Sequence, residues 1–400
     1  MFANGQSYLA IPGPSVMPDR VMRAMHRPAP NIYTGELHDV THSLIPDLKS
    51  VARTDHNVAI YIANGHGVWE AALSNVLAKG DTVLVLATGR FCVGWGEMAQ
   101  GLGVTVETLD FGNQEAIDPA QVEAALKADT QGRIKAIMTV LVDTSTGIKN
   151  DLKAVRDAID AAGHNALFMC DCIASLGCDE YHMDDWGIDI TVAASQKGLM
   201  TPPGLGFVWF NDKADKAREA MPLVSNYWDW RPRINPEVYY QYFNGTAPTH
   251  HLYGLREALD MVAEEGLANI WERHAGLAQA IWAAIDVWSS EGPMEINVAD
   301  PSARSNAVTS LRLAEGQGDA LRAWCEQKMG VILGVGLGRS PSSAYLRFGH
   351  MGHVNGQMVM GFLGAVDAGL KALGIPHGKG ALEAASGVLA DLAGPDISLT

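Results

Sequence analysis

Short apolar runs alternate with amphipathic stretches from Asn57 to about Phe210, and this alternation limits the possible folds more than any other feature of the sequence. The apolar runs predict seven strands, at residues 58–62, 82–86, 104–109, 135–142, 166–170, 188–193 and 206–210. The amphipathic stretches predict helices at residues 68–77, 119–128, 152–162 and 214–220. Strands that alternate with helices are typical of βα units. We therefore expect an α/β fold with a mostly parallel seven-stranded sheet flanked by helices.

The rhythm changes after residue 226, where aromatic residues and two prolines, Pro232 and Pro236, interrupt the pattern. Beyond this segment, helices are predicted at 250–265, 267–288, 319–329, 356–372 and 380–392, and strands at 307–313 and 344–348. A chain of 400 residues is too long for one simple core. We expect a large domain at residues 15–265 and a smaller C-terminal α+β domain at 266–400, with the N-terminal segment 1–14 packing near the small domain.

Charge and composition exclude several classes of protein. The net charge of -16 disfavours nucleic acids and anionic membranes as partners. Five cysteines without a CxxC pair argue against a disulfide or zinc framework, so no metal is expected and a reducing compartment fits best. The sequence shows neither a signal peptide nor an apolar stretch near the ~20 residues that a membrane helix needs, and we expect a cytoplasmic protein.

A carboxylate and a lysine each follow a predicted strand and carry the strongest chemical signal. Asp171 comes directly after the strand at 166–170, and Lys197 follows the strand at 188–193. A pyridoxal-phosphate enzyme needs a lysine amine that forms a Schiff base with the cofactor aldehyde. It also needs a carboxylate that keeps the pyridine nitrogen protonated, so that the ring can accept electrons. The pair therefore predicts pyridoxal 5'-phosphate as cofactor, with Lys197 and Asp171 as catalytic residues.

A glycine-rich turn, Asn64-Gly65-His66-Gly67, follows the first predicted strand of the sheet and opens a helix. Glycines let a backbone approach a phosphate, and a helix N-terminus offers free N–H groups. Glycine-rich turns are also common before helices that bind no ligand, and His66 alone would more often be a turn residue than a ligand contact. The order of phosphate loop, Asp171 and Lys197 favours a ligand site, because ligands of open α/β sheets bind at the carboxyl ends of the strands.

Three further residues have both a functional and a structural interpretation. Phe91 could stack on a cofactor ring or belong to the core. Thr144 could hydrogen-bond a ring hydroxyl or simply form a turn. Arg347 is a lone cation in an apolar run, where it could bind a substrate carboxylate or form a structural salt bridge.

The segments 195–198, 202–204 and 347–352, which read SQKG, PPG and RFGHMG, carry a resemblance to a known family. The chain resembles the class V aminotransferases of pyridoxal-phosphate fold type I. Within them it is most similar to the alanine/serine–glyoxylate and pyridoxamine–pyruvate aminotransferase group. The resemblance extends from Ile11 to Gly380. It implies the fold-type-I large domain and a homodimer whose active sites lie at the subunit interface.

The resemblance assigns roles to individual positions around the cofactor ring and its phosphate. Gly65 and His66 match the phosphate loop, and Phe91 matches the aromatic residue that stacks on the ring. Thr144 matches a hydroxyl near the ring oxygen, and Asp171 matches the partner of the ring nitrogen.

Four other positions match residues that bind the phosphate, the cofactor aldehyde or the substrate. Gln196 corresponds to a phosphate contact, and Lys197 to the Schiff-base lysine. Thr246 corresponds to a threonine that reaches the phosphate in the partner subunit. Arg347 corresponds to the arginine that binds the substrate carboxylate.

The activity that the resemblance implies is a ping-pong transamination, with small amino acids and 2-oxo acids as partners. The amino group would pass from an alanine- or serine-type donor to glyoxylate or pyruvate. Two departures leave the donor open. Phe243 stands where the glyoxylate enzymes usually have tyrosine, and pyridoxamine–pyruvate enzymes tolerate phenylalanine there. The His-Arg pair that is common near the N-terminus of serine–glyoxylate members is absent at residues 30–33. Pyridoxamine is therefore an alternative donor, and the cofactor species could be free or phosphorylated.

Two further activities stay open from the sequence. An aspartate-type donor with glyoxylate would need a second cation, for which the candidates are Arg90, Arg231, Arg233 and Arg339. A lyase of the cysteine desulfurase type would need a mobile catalytic cysteine. Only Cys325 is near the right part of the chain, and it falls in a predicted helix.

Overall fold

Two β-sheets organise the computed structural model, which describes residues 2–395. In chain order the strands are β1 (Tyr8–Ala10), β2 (Asn57–Ala63), β3 (Thr82–Ala87), β4 (Thr105–Asp110), β5 (Ile134–Val140), β6 (Val142–Asp143), β7 (Ile148–Lys149), β8 (Leu167–Asp171), β9 (Ile190–Ala194), β10 (Gly204–Phe210), β11 (Glu295–Ile296), β12 (Val308–Arg312), β13 (Val331–Val335) and β14 (Tyr345–Gly349).

The helices surround these sheets. They are α1 (Asp19–Met25), α2 (Glu36–Ala52), α3 (Gly65–Val76), α4 (Arg90–Gly101), α5 (Pro119–Ala128), α6 (Leu152–Ala161), α7 (Asp212–Glu219), α8 (Arg231–Ile234), α9 (Thr249–Glu265), α10 (Leu267–Ser289), α11 (Gln317–Trp324), α12 (Gly356–Ala372) and α13 (Ala381–Ala393). No helix within residues 2–395 is long and apolar enough to cross a bilayer.

The large sheet has seven strands in the order β2-β10-β9-β8-β5-β3-β4. Only β10 runs antiparallel to its neighbours, β2 and β9, and the other pairs are parallel. The predicted mostly parallel seven-stranded α/β sheet is therefore confirmed. All seven predicted runs coincide with these strands to within three residues, although the run 135–142 is divided between β5 and the short β6.

Helices cover both faces of this sheet, which explains why its strands, apart from the edge strand β4, are almost continuously apolar. Along β2, Val58 and Ile60 join the core beneath α2, α5, α6 and α9, whereas Ala59 and Tyr61 join the core beneath α3, α4 and α7. Successive side chains of a strand point to opposite faces, so one short run supplies both cores. The polar side chains that remain are concentrated where the strands end.

The second sheet has the order β1-β13-β14-β12-β11 and packs against α10, α12 and α13. Strand β1 pairs in parallel with β13, so the N-terminal segment belongs to this sheet. Helix α10 serves both parts of the molecule. Its Leu267 and Ile270 lie in a core of the large sheet, and its Leu277 and Ile281 lie in the core of the small one. The exact boundary between domains at residues 265 and 266 stays a prediction.

Candidate active site

A cavity of about 180 Å³ lies at the carboxyl ends of the large-sheet strands. It is lined by seven residues that the sequence analysis singled out: Gly65, His66, Phe91, Thr144, Asp171, Gln196 and Lys197. Each of them follows or ends a strand, or begins a helix directly after one. The parallel arrangement brings these separate positions to one edge, where an open α/β sheet binds its ligands.

The carboxylate of Asp171 is buried at the end of β8 and has two hydrogen-bond donors. The indole N–H of Trp69 donates to Oδ2 at 2.8 Å, and the backbone N–H of Ile173 donates to Oδ1 at 2.6 Å. Burial raises the pKa of Asp171 to about 7, although these donors and the charge of Lys197 act against the rise. A cation placed beside this carboxylate would favour its ionised form. The site is therefore suited to holding a protonated nitrogen.

The Lys197 side chain extends from the loop after β9, and its amine donates a hydrogen bond to the carbonyl oxygen of Pro12. Burial lowers the pKa of Lys197 to about 8, the nearby positive charge of Arg347 lowers it further, and Asp171 opposes the shift. A lysine with this pKa is neutral in a substantial fraction of molecules near pH 8. The neutral amine is the form that acts as a nucleophile or a base.

The first turn of α3 forms a cradle for an anion. Asn64 caps the helix, because its Oδ1 accepts the N–H of Gly67 at 3.1 Å. The N–H groups of Gly65 and His66 have no acceptor among the residues that the structure describes. A Cβ at Gly65 would lie 2.6 Å from the terminal methyl of Ile173, so a larger residue would displace that side chain. Free N–H groups at a helix N-terminus favour a phosphate or carboxylate.

Gln196 adds a polar group to the same cavity. Its Oε1 is buried and has no hydrogen-bond partner within the described chain. A buried acceptor without a donor is costly, so a ligand that donates a hydrogen bond, directly or through water, would stabilise it.

The buried carboxylate of Asp143 holds the backbone at Phe91 and beside Thr144. Its Oδ2 accepts the backbone N–H of Phe91 at 2.8 Å, and its Oδ1 accepts the N–H of Ser145 at 2.9 Å. Burial raises the pKa of Asp143 above its usual range. The Phe91 ring lies edge-on to Trp69, with 6.3 Å between the ring centroids. Asp143 therefore joins the start of α4 to the turn that carries Thr144.

Arg347 is buried on β14, next to this turn. Its Nε donates to the carbonyl of Val335 and its Nη1 to the carbonyl of Thr144, both at 2.8 Å. Burial lowers the pKa of Arg347 to about 10, and the carboxylate of Asp143 acts in the opposite direction. Within residues 2–395 it forms no salt bridge, and its Nη2 has no acceptor. The guanidinium therefore keeps a free donor for an incoming carboxylate.

The four candidate second cations differ in how they are engaged. Arg231 forms an ion pair, Arg233 donates to backbone carbonyls, and Arg339 donates to Asn297. The guanidinium of Arg90, directly before Phe91, has no hydrogen-bond or ion-pair partner in the described part of the chain. Of the four, Arg90 alone is free to bind a ligand.

Three predicted residues do not line the cavity: Arg347, which is bonded to the turn that carries Thr144, and Thr246 and Cys325. Thr246 is exposed in the segment before α9 and does not line the cavity of its own chain. Cys325 is buried against the small-sheet core, at the start of the π-helical turn Cys325–Met329, and its thiol contacts the carbonyl of Ala365. This cysteine therefore has neither the position nor the mobility that desulfurase chemistry needs.

Sequence reasoning missed three groups that the structure places at the site: Trp69, Asp143 and the Pro12 carbonyl. Trp69 lies one helical turn after Gly65, a spacing that could have indicated it. Asp143 adjoins Thr144 and was visible as a charged residue beside a strand. Pro12 carries no local signal, because its role depends entirely on how the N-terminus folds back onto the sheet.

Comparison with known proteins gives a consistent result over almost the whole chain. The family model described as Aminotransferase class-V matches residues 8–354. The serine–glyoxylate aminotransferase of Methylorubrum extorquens is 37% identical over 395 residues, which cover 96% of each protein. The L-aspartate–glyoxylate aminotransferase of Paracoccus denitrificans is 31% identical, with 93% of each covered. The crystal structure of pyridoxamine–pyruvate aminotransferase from Mesorhizobium loti superposes with a TM-score of 0.86 at 25% identity, covering 98% of both chains.

Proposed function

Because this chain belongs to the class V aminotransferases, we propose that it carries pyridoxal 5'-phosphate on Lys197 and moves the amino group of a small amino acid to glyoxylate or pyruvate. One observation carries the proposal. A lysine amine of lowered pKa and a buried carboxylate share one cavity, beside free N–H groups at the start of α3. These are the three groups that the aldehyde, the ring nitrogen and the phosphate of this cofactor require.

The residues around the cavity fit the cofactor in chemical type. Gly65, His66 and Gln196 would bind the phosphate, since the first two offer free N–H groups and the third has a side-chain amide whose NH2 group can donate to a phosphate oxygen. Phe91 would cover one face of the ring, and Asp171 would hold the proton on its nitrogen. When bound, the cofactor supplies an electron-accepting ring that weakens bonds at the substrate Cα.

Arg347 and Lys197 would act on the substrate itself. The free donor of Arg347 would bind the substrate carboxylate and so orient the Cα–H bond toward Lys197. The neutral amine of Lys197 would then take the proton from Cα and deliver it to the cofactor carbon. Water would release the donor as a 2-oxo acid and leave its amino group on the cofactor, and a second oxo acid would take up that amino group with loss of water.

Small monocarboxylic partners fit best, because Arg347, which is bonded to the turn that carries Thr144, keeps one free donor group for a single carboxylate. The relative from Methylorubrum extorquens is a serine–glyoxylate aminotransferase, which agrees with this class of substrate. Pyridoxamine stays an alternative donor, since Phe243 is buried and offers no hydroxyl to a phosphate. The anion cradle at α3 favours the phosphorylated cofactor over the free vitamin.

The test is a half-reaction screen joined to a lysine substitution. Purified protein is mixed with alanine, serine, aspartate or pyridoxamine while the visible absorbance of the lysine-bound cofactor is followed. Lys197→Ala should lose both this absorbance and turnover, whereas Lys153→Ala, at an exposed lysine paired with Asp157, should keep both. Borohydride reduction and peptide mapping should find the cofactor on Lys197. Transamination by Lys197→Ala would refute the assignment.

An aspartate-type donor is a second candidate, and the free guanidinium of Arg90 favours it. If Arg90 binds the side-chain carboxylate, Arg90→Ala should lower kcat/KM for aspartate by roughly 10- to 100-fold, as expected for a lost hydrogen bond to a charged group. Values for alanine and serine should not change. The candidate is rejected if the wild-type protein does not convert aspartate.

A homodimer with shared active sites completes the proposal. Thr246 is exposed and does not line the cavity of its own chain, which agrees with a role in the partner's site. Apolar side chains of the same region, including Val238 and Tyr240, are exposed as well. The cytoplasmic location stays a prediction from the sequence.

A further inference from the structure

We propose that residues 11–15, here called the N-terminal turn, position the amine of Lys197. The Pro12 carbonyl would hold the amine whenever the lysine is not attached to the cofactor, and the turn would tie its position to the sheet that carries Arg347. The proposal rests on the proposed role of Lys197 and adds a group that acts on it.

The N-terminal turn forms hydrogen bonds with both the side chain and the backbone of Lys197. The amine donates to the Pro12 carbonyl, and the hydroxyl of Ser15 donates to the Lys197 carbonyl at 2.7 Å. The N–H of Ser15 also donates to the carbonyl of Gln196 at 2.9 Å. A Cβ at Gly13 would lie 2.6 Å from Cε of Lys197 and closer still to the amine. Glycine is therefore needed for the turn to pass so near the lysine.

The other end of the turn is tied to the small sheet. Strand β1 ends directly before it and pairs with β13, and Gly334 of β13 pairs with Arg347 of β14. A Cβ at Gly334 would lie 2.7 Å from the ring of Pro12, and one at Gly349 would collide with the carbonyl of Ile11. Close packing of this kind transmits small displacements. The lysine and the substrate-binding arginine are thus connected through one packed segment.

A backbone carbonyl suits the chemistry that the amine performs. A carboxylate at this position would stabilise the charged form and raise the pKa of the lysine, which would reduce its strength as a base at neutral pH. The carbonyl accepts one hydrogen and adds no net charge. A neutral amine held in this way keeps its lone pair for the substrate proton, and it occupies the same place in each turnover.

The experiment compares two glycine substitutions that share backbone strain and differ in their surroundings. Gly13 has φ +90°, and its Cβ would collide with Lys197; Gly80 has φ +93°, and its Cβ would meet nothing within 4 Å. In the cofactor-free protein, the pKa of Lys197 is measured from the pH dependence of its acetylation, by peptide mass spectrometry. Gly13→Ala should lower this pKa, because the contact with Pro12 that favours the protonated form is lost, and Gly80→Ala should not.

Turnover of the loaded enzyme gives a second measurement. A displacement of about 1 Å can cost on the order of 100-fold in rate, so kcat of Gly13→Ala should fall strongly while KM for the amino acid changes little. Ser15→Ala is a milder variant that keeps the backbone contacts, and a fall of roughly 3- to 10-fold is expected from the loss of one hydrogen bond. Ser386→Ala, which removes an exposed hydroxyl bonded to Glu383, is its control.

The outcomes separate this proposal from the proposed function. If Gly13→Ala matches Gly80→Ala in both pKa and kcat, the turn does not position the lysine. If Gly13→Ala fails to fold, Ser15→Ala is compared with Ser386→Ala instead. Equal Lys197 pKa and equal kcat in these two variants would then show that the turn does not position the lysine. An inactive Lys197→Ala alongside unaffected turn variants would overturn the positioning role alone, whereas an active Lys197→Ala would overturn the proposed function itself.

Discussion

At the residue scale, the indole of Trp69 influences the pKa of the Asp171 carboxylate. Its N–H donates to Oδ2 of Asp171, and the ring contacts both His66 and Phe91. Trp69→Phe keeps most of the ring but removes the donor, so the pKa of Asp171 should rise further. The ring-nitrogen site should then be weaker, with cofactor Kd raised roughly 10-fold, as expected for a hydrogen bond to a charged group. Equilibrium dialysis against pyridoxal 5'-phosphate measures this change.

Trp288→Phe is the matched control for this substitution. Trp288 is buried in the small-sheet core and donates to Oδ1 of Asp367 at 3.1 Å, so the same type of bond is lost far from the cavity. Both variants should lose folding stability, but only Trp69→Phe should lose cofactor affinity. An equal Kd for the two variants would show that the bond to Asp171 has no part in binding.

The charge of Asp171 also predicts a pH dependence of stability in the cofactor-free protein. Its pKa is about 7 in the folded chain, against an ordinary value of 3.8, so the folded state holds a proton that the unfolded state has released. The contribution of this group to stability therefore falls as pH rises from about 4 to about 7. Asp171→Asn does not titrate. Relative to wild type, its free energy of unfolding should improve by on the order of 2 kcal/mol between pH 5 and pH 8.

Urea unfolding at the two pH values measures this difference, and any constant cost of the substitution cancels. Asp118→Asn is the control, because the pKa of Asp118 is lowered by hydrogen bonds and this carboxylate is ionised at both pH values. Activity should change in the other direction: Asp171→Asn should be inactive with the cofactor at every pH. A pH-independent stability difference would mean that Asp171 is not protonated in the empty pocket.

Residues whose role depends on local sequence were predictable, and those that act over long separations were not. Asp171 and Lys197 each follow an apolar strand and have a reactive side chain, so position and chemistry together identified them. The Pro12 carbonyl lies 185 residues from Lys197 along the chain, and any residue type would present the same carbonyl. The pattern of side chains along a sequence carries no information about which backbone group will meet a distant residue.

At the element scale, the start of α3 is the feature that prepares the site for an anion. Asn64→Ala removes the cap on Gly67 and should cost about 1 kcal/mol of stability, because the first turn loses its fixed geometry. Affinity for pyridoxal 5'-phosphate should fall roughly 5-fold, the equivalent of about 1 kcal/mol. Affinity for pyridoxal, which lacks the phosphate, should change much less. Titration of the cofactor-free protein with both compounds tests this.

Asn355→Ala provides the comparison for this cap. Asn355 caps α12 through the N–H of Met358 at 3.0 Å, in the same manner as Asn64 caps α3. The two variants should be similarly destabilised, and only Asn64→Ala should distinguish the phosphorylated from the free vitamin. If both bind the two compounds as wild type does, the α3 cradle is not the phosphate site.

Burial explains which elements the sequence revealed. Except for the edge strand β4, the strands of the large sheet are covered on both faces and read as apolar runs, so their positions were predicted closely. Helix α4 was missed because its sequence holds four glycines within or beside it, Gly89, Gly94, Gly96 and Gly101, which are poor helix formers. At Gly96 a Cβ would lie 3.0 Å from Val85, so close packing against β3 explains at least one of them.

At the scale of the whole molecule, the two sheets are joined at the site as well as through α10. Arg347 from the small sheet donates to Thr144 of the large-sheet side, and the N-terminal turn runs from β1 to Lys197. The sequence predicted which residues carry the chemistry. Their mutual placement required the fold, because these contacts join segments that are distant in the chain. The role of Thr246 in a second subunit stays a prediction.

Mixed dimers offer a direct test of whether Thr246 acts in the partner's site. Lys197→Ala should be inactive, and Thr246→Asp should be strongly impaired because its charge repels the phosphate. In a heterodimer of the two variants, a shared site would combine both substitutions in one cavity and leave the other cavity entirely wild type. Co-expression with two affinity tags isolates this heterodimer, which should recover about half of the wild-type kcat per dimer. If each subunit instead completes its own site, each cavity of the heterodimer carries one substitution and no activity returns. A wild-type protein that sediments as an active monomer would also exclude a shared site.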